Sequence, residues 1–182
     1  MLELGRRTFL RPCEPSDDPF LYDVFCTTWE SEVAALPNQK LAQHVLRIQH
    51  IAQERRFATR FPGHRRLVVL DGDQRAGRLY LSETDRSVHV VDLTLLPEFR
   101  SRGIGTRILQ HLMRTATQDG STISLGVPRT NKRATGLYAA LGFSLVAVDD
   151  LDNFFEWSPT PVDGTTGQPA VLPVASRPLG RL

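Results

Sequence analysis

Two glycines and three arginines stand close together in the stretch RSRGIGTR, which covers residues 100–107. A strand-like run precedes this stretch and a helix-like run follows it, so its backbone N–H groups would lie at the positive end of a helix. Such groups bind phosphate oxygens, and glycine lets a diphosphate approach the backbone closely. The stretch therefore predicts either a phosphate-binding loop or an ordinary tight turn before a helix.

The spacing of the glycines excludes two common phosphate motifs. There is no G-x-x-x-x-G-K-[ST] sequence, and Ile108 occupies the third glycine position of G-x-G-x-x-G. The loop thus has neither a nucleoside-triphosphate spacing nor a dinucleotide fingerprint. Arginine suits phosphate recognition, but 20 of the 22 basic residues in the chain are arginine, so its presence here decides little.

Two polar side chains upstream of the loop could contact a substrate. His89 and Asp92 lie in SVHVVDLTLL (87–96), which has the strongest strand pattern in the chain. Regular alternation places His89 with Leu93 and Asp92 with Thr94, on opposite faces of the strand. The pattern therefore predicts that at most one of the two faces a substrate directly.

The elements that would position these residues follow from periodicity and turn residues. Helical spacing predicts helices over about 20–29 (with Asp17 or Asp18 as cap), 38–58 (with Leu41, Val45, Ile48 and Ile51 in phase), 103–119 (with Ile104, Ile108, Leu112 and Ala116 in phase) and 131–141. Strands are predicted over 7–11, two runs around the Asp71-Gly72-Asp73 turn, 87–96, 121–127, 143–148 and 153–157. This order predicts an α/β domain with a mixed sheet and helices on both faces.

Composition narrows the class of protein. The 182 residues suffice for one domain, and residues 158–182, rich in proline, glycine and threonine, are predicted to form a flexible tail.

No apolar run reaches the ~18 residues of a membrane span, and MLELGRR lacks the apolar stretch of a secretory signal. Cys13 and Cys26 have no metal or redox spacing. We therefore expect a cytoplasmic protein without a metal site or a membrane segment. Scattered arginines argue against a nucleic-acid face.

Two stretches resemble the motifs of the GNAT family of N-acetyltransferases. LTLLPEFRSRGIGTRILQHL is similar to its acetyl-CoA-binding motif, L-x-V-x-P-E-[FY]-R-x-x-G-x-G before a helix, at Leu93, Leu95, Pro97, Glu98, Phe99, Arg100, Gly103 and Gly105. The family's N-x-x-A-x-x-L-Y-x-x-x-G-F motif is matched at Asn131, Ala134, Leu137, Tyr138, Gly142 and Phe143. The resemblance covers about residues 7–157. It implies a mixed, mostly antiparallel central sheet flanked by helices, in a domain of residues 1–157.

The resemblance implies an acetyl-CoA-dependent transfer to a primary amine, on a small molecule or a peptide, by direct attack in a ternary complex. It also implies a set of residues that bind the cofactor, partly through the main chain: Leu93, Thr94, Leu95, Ser101, Arg102, Gly103, Ile104, Gly105, Thr106 and Asn131. An N–H of the 88–96 strand would stabilise the tetrahedral oxyanion. Tyr138 would protonate the leaving thiolate, and a tyrosine with a pKa near ~10 holds its proton at neutral pH.

The general base and the acceptor stay open at this stage. Some family members carry a glutamate five residues before the asparagine, where this chain has Gly126. The remaining candidates for base or substrate contact are Trp29, Glu30, Glu32, His89 and Asp92, with a water-relayed base as an alternative. The first three could instead form a solvated helix end. A non-catalytic acyl-CoA-binding module and an arginine-rich nucleic-acid partner remain as other functions, and a homodimer is possible.

Overall fold

A computed structural model describes residues 1–5, 7–34 and 36–159 of the chain. The described ranges contain eight strands: β1 (Leu2–Glu3), β2 (Thr8–Pro12), β3 (Arg65–Asp71), β4 (Gln74–Thr84), β5 (Ser87–Leu95), β6 (Thr122–Pro128), β7 (Ser144–Val148) and β8 (Asp152–Trp157). Their helices are α1 (Asp18–Cys26), α2 (Glu30–Ala34), α3 (Gln39–Arg60), α4 (Ile104–Asp119) and α5 (Lys132–Ala140). The predicted tail, 158–182, lies outside the described residues from position 160 onward.

The strands form a single mixed sheet in the order β1-β2-β3-β4-β5-β6-β8-β7. Among the described strands, only β5 and β6 pair in parallel, and every other neighbouring pair is antiparallel. This confirms the predicted mixed, mostly antiparallel sheet. The short β1 and the five-residue α2 were not predicted, because neither is long enough to show a hydrophobic period.

Helices cover both faces of the sheet, as predicted. Along β3, Leu67 and Val69 belong to the core beneath α4, whereas Val68 and Leu70 belong to the core beneath α1. Successive side chains of a strand point to opposite faces, so these two cores lie on opposite sides of β3. The turn between β3 and β4 also confirms the predicted hairpin, with Gly72 at a φ of 62°.

The apolar stripe of α4 is confirmed. Ile104, Ile108, Leu112 and Ala116 are all buried in the larger core, and the helix ends at Gly120 with a φ of 65°. A left-handed residue after a helix is the position that glycine fills at least cost. The helix is therefore fixed at both ends by local sequence and held along one stripe by burial.

The apolar stripe of α3 does not face the core. The helix itself is confirmed, but Leu41, Ile48 and Ile51 are exposed by 40%, 51% and 52%, while Leu46 on the other side is buried. The inward face of α3 carries Gln53 and Glu54, which bond to Arg78 of β4. The helical period was predicted correctly, and the side that is buried was not.

Asp17 stands at the N-cap position of α1, as predicted for it or Asp18, but its buried carboxylate makes no capping bond to that helix. Its two oxygens accept bonds from the Arg11 guanidinium at 2.6 and 2.7 Å, and one also accepts from the N–H of Glu14 at 2.9 Å. It therefore closes the preceding 3-10 turn and joins that turn to β2. The hydrogen bonds from Arg11, above all, lower the pKa of Asp17 to about 2.

Asp17→Asn should reduce the free energy of unfolding at pH 7 by roughly 2 kcal/mol, because a carboxyl pKa lowered to about 2 by folding stabilises the protein above the unfolded-state value. The difference from wild type should shrink below about pH 4 and disappear as the pH falls through about 2, where Asp17 itself becomes protonated. Urea unfolding across this range measures it. The exposed neighbour serves as control: Asp18→Asn should cost less than about 0.5 kcal/mol. Equal losses in the two variants would contradict the assignment.

Candidate active site

The sheet divides between β5 and β6. Their parallel pairing stops where Val90 lies opposite Leu125. From there β5 continues beside β4 as far as Leu95, and β6 continues beside β8 as far as Pro128. The β6 side of Val91–Leu95 therefore has no strand partner among the described residues, and we call the space along this edge the β5–β6 gap.

Alternation along β5 determines which backbone groups point into the β5–β6 gap. The N–H of Leu96 donates to a carbonyl of β4 at 2.9 Å, and the carbonyl of Leu95 accepts from Nε of Arg100 at 2.8 Å. Successive residues of a strand turn their backbone groups to opposite sides. Leu93 and Leu95 thus face the gap with their N–H and C=O groups, while those of Thr94 face β4.

The loop before α4 presents a row of free amides. From Ser101 to Thr106, none of the backbone N–H groups donates to a backbone or side-chain acceptor among the described residues. The chain turns with positive φ at Ser101 (63°) and Gly103 (74°), and the helix starts at Ile104. Unbonded N–H groups at a helix start attract anionic oxygens. This amide loop, residues 101–106, follows the gap-facing edge of β5 along the chain.

Gly105 is a glycine that packing does not require. A Cβ at this position would lie 3.8 Å from Cδ2 of Leu137, which is ordinary van der Waals contact. Its φ is also not positive, so the backbone would accept another residue. The space that the missing side chain leaves over the amide loop is therefore available to a ligand.

The arginines in and around the amide loop mainly bind other groups of the protein. Arg107 donates to the hydroxyl of Thr8 at 2.9 Å and to the carbonyl of Arg102 at 3.1 Å. Arg133 of α5 donates to the hydroxyl of Ser101 at 2.6 Å. Two elements outside the loop therefore hold it in shape, and the side chain of Arg102, 54% exposed, keeps contact with solvent.

Asn131 is the N-cap of α5. Its Oδ1 accepts from the N–H of Ala134 at 3.1 Å, which satisfies one of the free donors at the helix start. The side-chain amide group of Asn131 has no other partner among the described residues. Asn131 therefore has a structural role, and its remaining donors are available on the same helix as Tyr138.

Tyr138 has a buried ring and an accessible hydroxyl. The ring packs near Phe143 and Phe155, with centroids 5.8 and 5.7 Å away. Among the described residues the hydroxyl has no hydrogen-bond partner, yet it is not sealed from solvent. Burial, together with the negative charge of Asp92, raises the pKa of Tyr138 to about 12. The phenol is therefore a protonated donor at neutral pH.

His89 and Asp92 lie on the same face of the sheet, so the prediction of opposite faces was wrong. Ser82 stands opposite His89 and Tyr80 stands opposite Asp92, and the register shifts between these pairs so that Val91 has no partner. This bulge inserts one residue into β5, and one extra residue reverses the alternation that follows it. Both side chains therefore point to the side of the sheet where α3 lies.

His89 is a neutral, weakly basic side chain. Its ring stacks on Phe61 at 4.7 Å between centroids, and its Nδ1 lies 2.9 Å from the hydroxyl oxygen of Ser124. Burial, with a contribution from the charge of Arg60, lowers the pKa of His89 to about 4. The imidazole is therefore uncharged at neutral pH and has a low affinity for a proton.

Asp92 binds a buried arginine that the sequence analysis did not single out. Nε of Arg78 donates to Oδ2 of Asp92, and the hydroxyl of Thr94 donates to Oδ1 at 2.9 Å. Nη2 of Arg78 donates to Gln53 at 2.8 Å, and its Nη1 lies 3.5 Å from Glu54. Both oxygens of Asp92 are thus occupied. An arginine inside the apolar strand pattern GRLYL was the signal available in the sequence.

The other predicted substrate residues lie at the junction of α1 and α2. The ring of Trp29 packs against Phe25, with centroids 5.9 Å apart. Glu30 is exposed, and Glu32 accepts a bond from the hydroxyl of Ser31 at 2.8 Å. The described contacts thus form two groups: these residues around α2, and His89 with Asp92 on β5.

The position where some relatives carry a glutamate offers no carboxylate here. Gly126 pairs with Phe154 of β8, and a Cβ on it would lie 3.4 Å from that ring. Among the described residues, no group of three His, Cys, Asp or Glu side chains could hold a metal ion. None of the described helices is long and apolar enough to cross a membrane.

Comparison with known proteins gives both a family and a set of relatives. The acetyltransferase (GNAT) family model matches residues 21–143. Thialysine N-epsilon-acetyltransferase of Mus musculus is 37% identical over 65 residues, which is 35% of this chain and 38% of that protein. The enzyme of the same name from Bos taurus is 38% identical over 64 residues, again 35% and 38% of the two chains. The match thus spans less than half the length of these relatives.

Solved structures share the fold over most of the chain. PaiA N-acetyltransferase of Thermoplasma acidophilum, in complex with coenzyme A, has a TM-score of 0.62 at 18% identity and covers 83% of this chain and 98% of that one. Spermidine N-acetyltransferase of Vibrio cholerae, with CoA and spermine, has a TM-score of 0.57 at 18% identity, over 85% and 97% of the chains. Because the family match also spans more than half of its length, the chain belongs to the acetyltransferase (GNAT) family.

Proposed function

We propose that the chain transfers an acetyl group from acetyl-CoA to a primary amine, by direct attack of the amine in a ternary complex. The observation that carries this proposal is the succession of two sets of free backbone groups: those of Leu93 with the N–H of Leu95, and the N–H groups of residues 101–106. The gap-facing edge of β5 leads into the amide loop, residues 101–106, so one extended acyl-CoA molecule could bond to both. Membership of the family supports the same assignment.

The amide loop suits the diphosphate of coenzyme A. Its free N–H groups lie at the start of α4, where the helix dipole favours negative charge, and Gly103 and Gly105 keep the backbone accessible. Leu93 and Leu95 would bond the pantetheine arm through their main chain, and Asn131 would offer its free side-chain donors. The role of Thr94 in this proposal is to hold Asp92 through its hydroxyl.

Bound acetyl-CoA would supply an acetyl group activated as a thioester. Amine attack moves negative charge onto the carbonyl oxygen, and an N–H aimed at that oxygen stabilises the transition state. The Leu93 amide, which faces the β5–β6 gap, is our candidate for this donor. As the C–S bond breaks, Tyr138 would give its proton to the leaving sulfur, and it would then take back a proton from solvent. Burial and the charge of Asp92 raise the pKa of Tyr138, which keeps the phenol protonated until the thiolate develops.

The proton lost by the amine leaves through water in this proposal. Asp92 is a poor candidate for the base because Arg78 and Thr94 occupy its oxygens. His89, with a pKa of about 4, is poorly matched to an alkyl ammonium near ~10.4. We therefore assign the role of general base to neither Asp92 nor His89.

A cationic amine is the acceptor that we propose. The relatives named above are called thialysine and spermidine acetyltransferases, and the latter was solved with spermine. Trp29, Glu30 and Glu32 combine an aromatic face with carboxylates near α2, which suits an ammonium group. A cytoplasmic location and a homodimer stay predictions. No observation favours the non-catalytic module or the nucleic-acid partner.

A panel of polyamines, amino acids, aminoglycosides and peptide N-termini, assayed for CoA thiol release, should identify at least one acetylated amine. Tyr138→Phe should then lower kcat by about 100-fold with little change in the KM for acetyl-CoA, because it removes only the proton donor. Tyr22→Phe, which removes a hydroxyl from α1, is the matched control and should retain activity. An unchanged kcat in Tyr138→Phe would remove Tyr138 from the mechanism. Acetyl-CoA binding without turnover on any amine would favour the non-catalytic module.

Gly105→Val should raise the Kd for acetyl-CoA by at least about tenfold, because its side chain would occupy the space above the amide loop. Gly105→Ala, whose Cβ meets only ordinary contact, should keep the wild-type melting temperature without ligand, and the same measurement checks that Gly105→Val is folded. Thermal shift and calorimetric titration measure the two quantities. Thr115→Val, on an exposed turn of the same helix, should leave both unchanged. If Gly105→Val bound acetyl-CoA as wild type does, the phosphate site would lie elsewhere.

A further inference from the structure

Arg78 has the largest fully buried side chain among the described residues, with 1% of its surface exposed. It lies within a buried run of β4 that extends from Ala76 to Leu81. Burying a guanidinium without partners is costly, and burial by itself lowers the pKa of Arg78, yet the charges of Asp92 and Glu54 keep that pKa above its ordinary value. The arginine is therefore charged and depends on those carboxylates.

The partners of Arg78 come from two separate elements. Its Nε bonds to Asp92 on β5, while its two Nη atoms contact Gln53 at 2.8 Å and Glu54 at 3.5 Å on α3. The planar fork of an arginine can hold several partners in one fixed geometry, which an ammonium cannot do. One buried side chain thus joins the strand that borders the β5–β6 gap to the helix that covers that face of the sheet.

The bond to Asp92 is made at the point where β5 changes its geometry. Val91 is the unpaired bulge residue, Asp92 follows it, and Leu93 is the next residue, with its N–H facing the gap. A bulge re-aims the residues that follow it, and its geometry must be held by something other than the regular ladder. Arg78 and Thr94 hold the Asp92 side chain from both oxygens, so they fix the strand one residue before Leu93.

A purely stabilising role explains this cluster poorly. Replacing a buried ion pair by apolar side chains of similar volume is often neutral or even stabilising. The face of the sheet toward α3 nevertheless keeps Arg78, Asp92 and Glu54, whereas the face toward α4 is apolar. Charge-assisted bonds are directional, so such a cluster can instead define the orientation of β5 relative to α3.

We propose that Arg78 is a positioning residue of the acetyl-transfer site, which holds the Leu93 amide in register with α3 through Asp92 and Glu54. The proposal rests on the proposed acetyltransferase function for its effect on turnover. It assigns Arg78 no contact with substrate. In this proposal Asp92 accepts the hydrogen bond from Arg78 and does not act as a general base.

Two variants of Asp92, one to asparagine and one to alanine, distinguish a positioning role of this side chain from a role as general base. Asp92→Asn keeps an oxygen that can accept from Arg78, so kcat should stay within about threefold of wild type, while Asp92→Ala and Arg78→Met should each lose about 100-fold, as expected for a displaced catalytic group. KM for acetyl-CoA should change much less than kcat. If Asp92→Asn kept the wild-type melting temperature and were still as damaging to kcat as Asp92→Ala, the carboxylate charge would itself act in catalysis and the proposal would be wrong.

A double variant separates positioning from stability. Arg78→Met combined with Asp92→Leu removes both charges and should recover most of the melting temperature that Arg78→Met loses. We expect kcat to stay about as low as in Arg78→Met. Recovery of kcat together with the melting temperature would overturn the proposal, because Arg78 would then serve stability alone. Arg78→Lys, which keeps the charge but loses the fork, should also fail to restore kcat.

Hydrogen exchange tests the link without any turnover. In Arg78→Met, or in Arg78→Lys if the former does not fold, peptides covering 88–96 and 46–57 should both exchange faster than in wild type. An increase confined to β4, or to only one of the two peptides, would overturn the link. A lack of activity on every amine would sink the proposed function, but the exchange data would still decide whether Arg78 joins β5 to α3.

Discussion

Backbone N–H and C=O groups need hydrogen-bond partners, and from Val91 onward β5 has a strand on one side only. The other side faces the β5–β6 gap, and the chain leaves it through a short 3-10 turn, Pro97–Phe99, into a loop whose amides are also unpaired. The separation of β6 from β5 creates this row of free groups, and the helix start extends it. Helix α5 follows β6, the strand that separates from β5, and it carries Asn131 at its N-cap and Tyr138.

The two faces of the sheet are built from different interactions. Beneath α4 the contacts are apolar, and the stripe from Ile104 to Ala116 is buried as its period predicts. Toward α3 the contacts include a charged arginine, two carboxylates and an amide. Both faces supply burial that drives folding, since apolar area removed from water is the main favourable term and Val68 and Leu70 are buried beneath α1. The bonds toward α3 also constrain geometry, because charge-assisted bonds are directional and their loss leaves a buried charge.

The arginines illustrate why residue type alone does not identify a ligand contact. Arg107 and Arg133 hold the amide loop by donating to the carbonyl of Arg102 and the hydroxyl of Ser101, and Arg100 holds the end of β5 through the carbonyl of Leu95. In the proposed complex the diphosphate meets backbone amides, whose direction these side chains preserve. A loop rich in arginine can therefore bind an anion mainly through its main-chain amides, while the arginine side chains hold the loop in position.

Local sequence by itself determined the elements whose causes are local. The glycine-rich turn, the α4 stripe, the helix end at Gly120 and the hairpin at Gly72 could all be predicted, because turn geometry and helical period act over a few residues. The two motifs around Gly103 and Tyr138 were identified by their resemblance to those of a known family. Only the tertiary structure decided the facing of His89 and Asp92, the burial of α3 and the partners of Arg78. A one-residue bulge reverses every later side chain of a strand, and it leaves no mark in the alternation. Gln53 and Glu54 of α3 bond to Arg78, which lies 25 and 24 residues further along the chain, a distance over which no local pattern carries information.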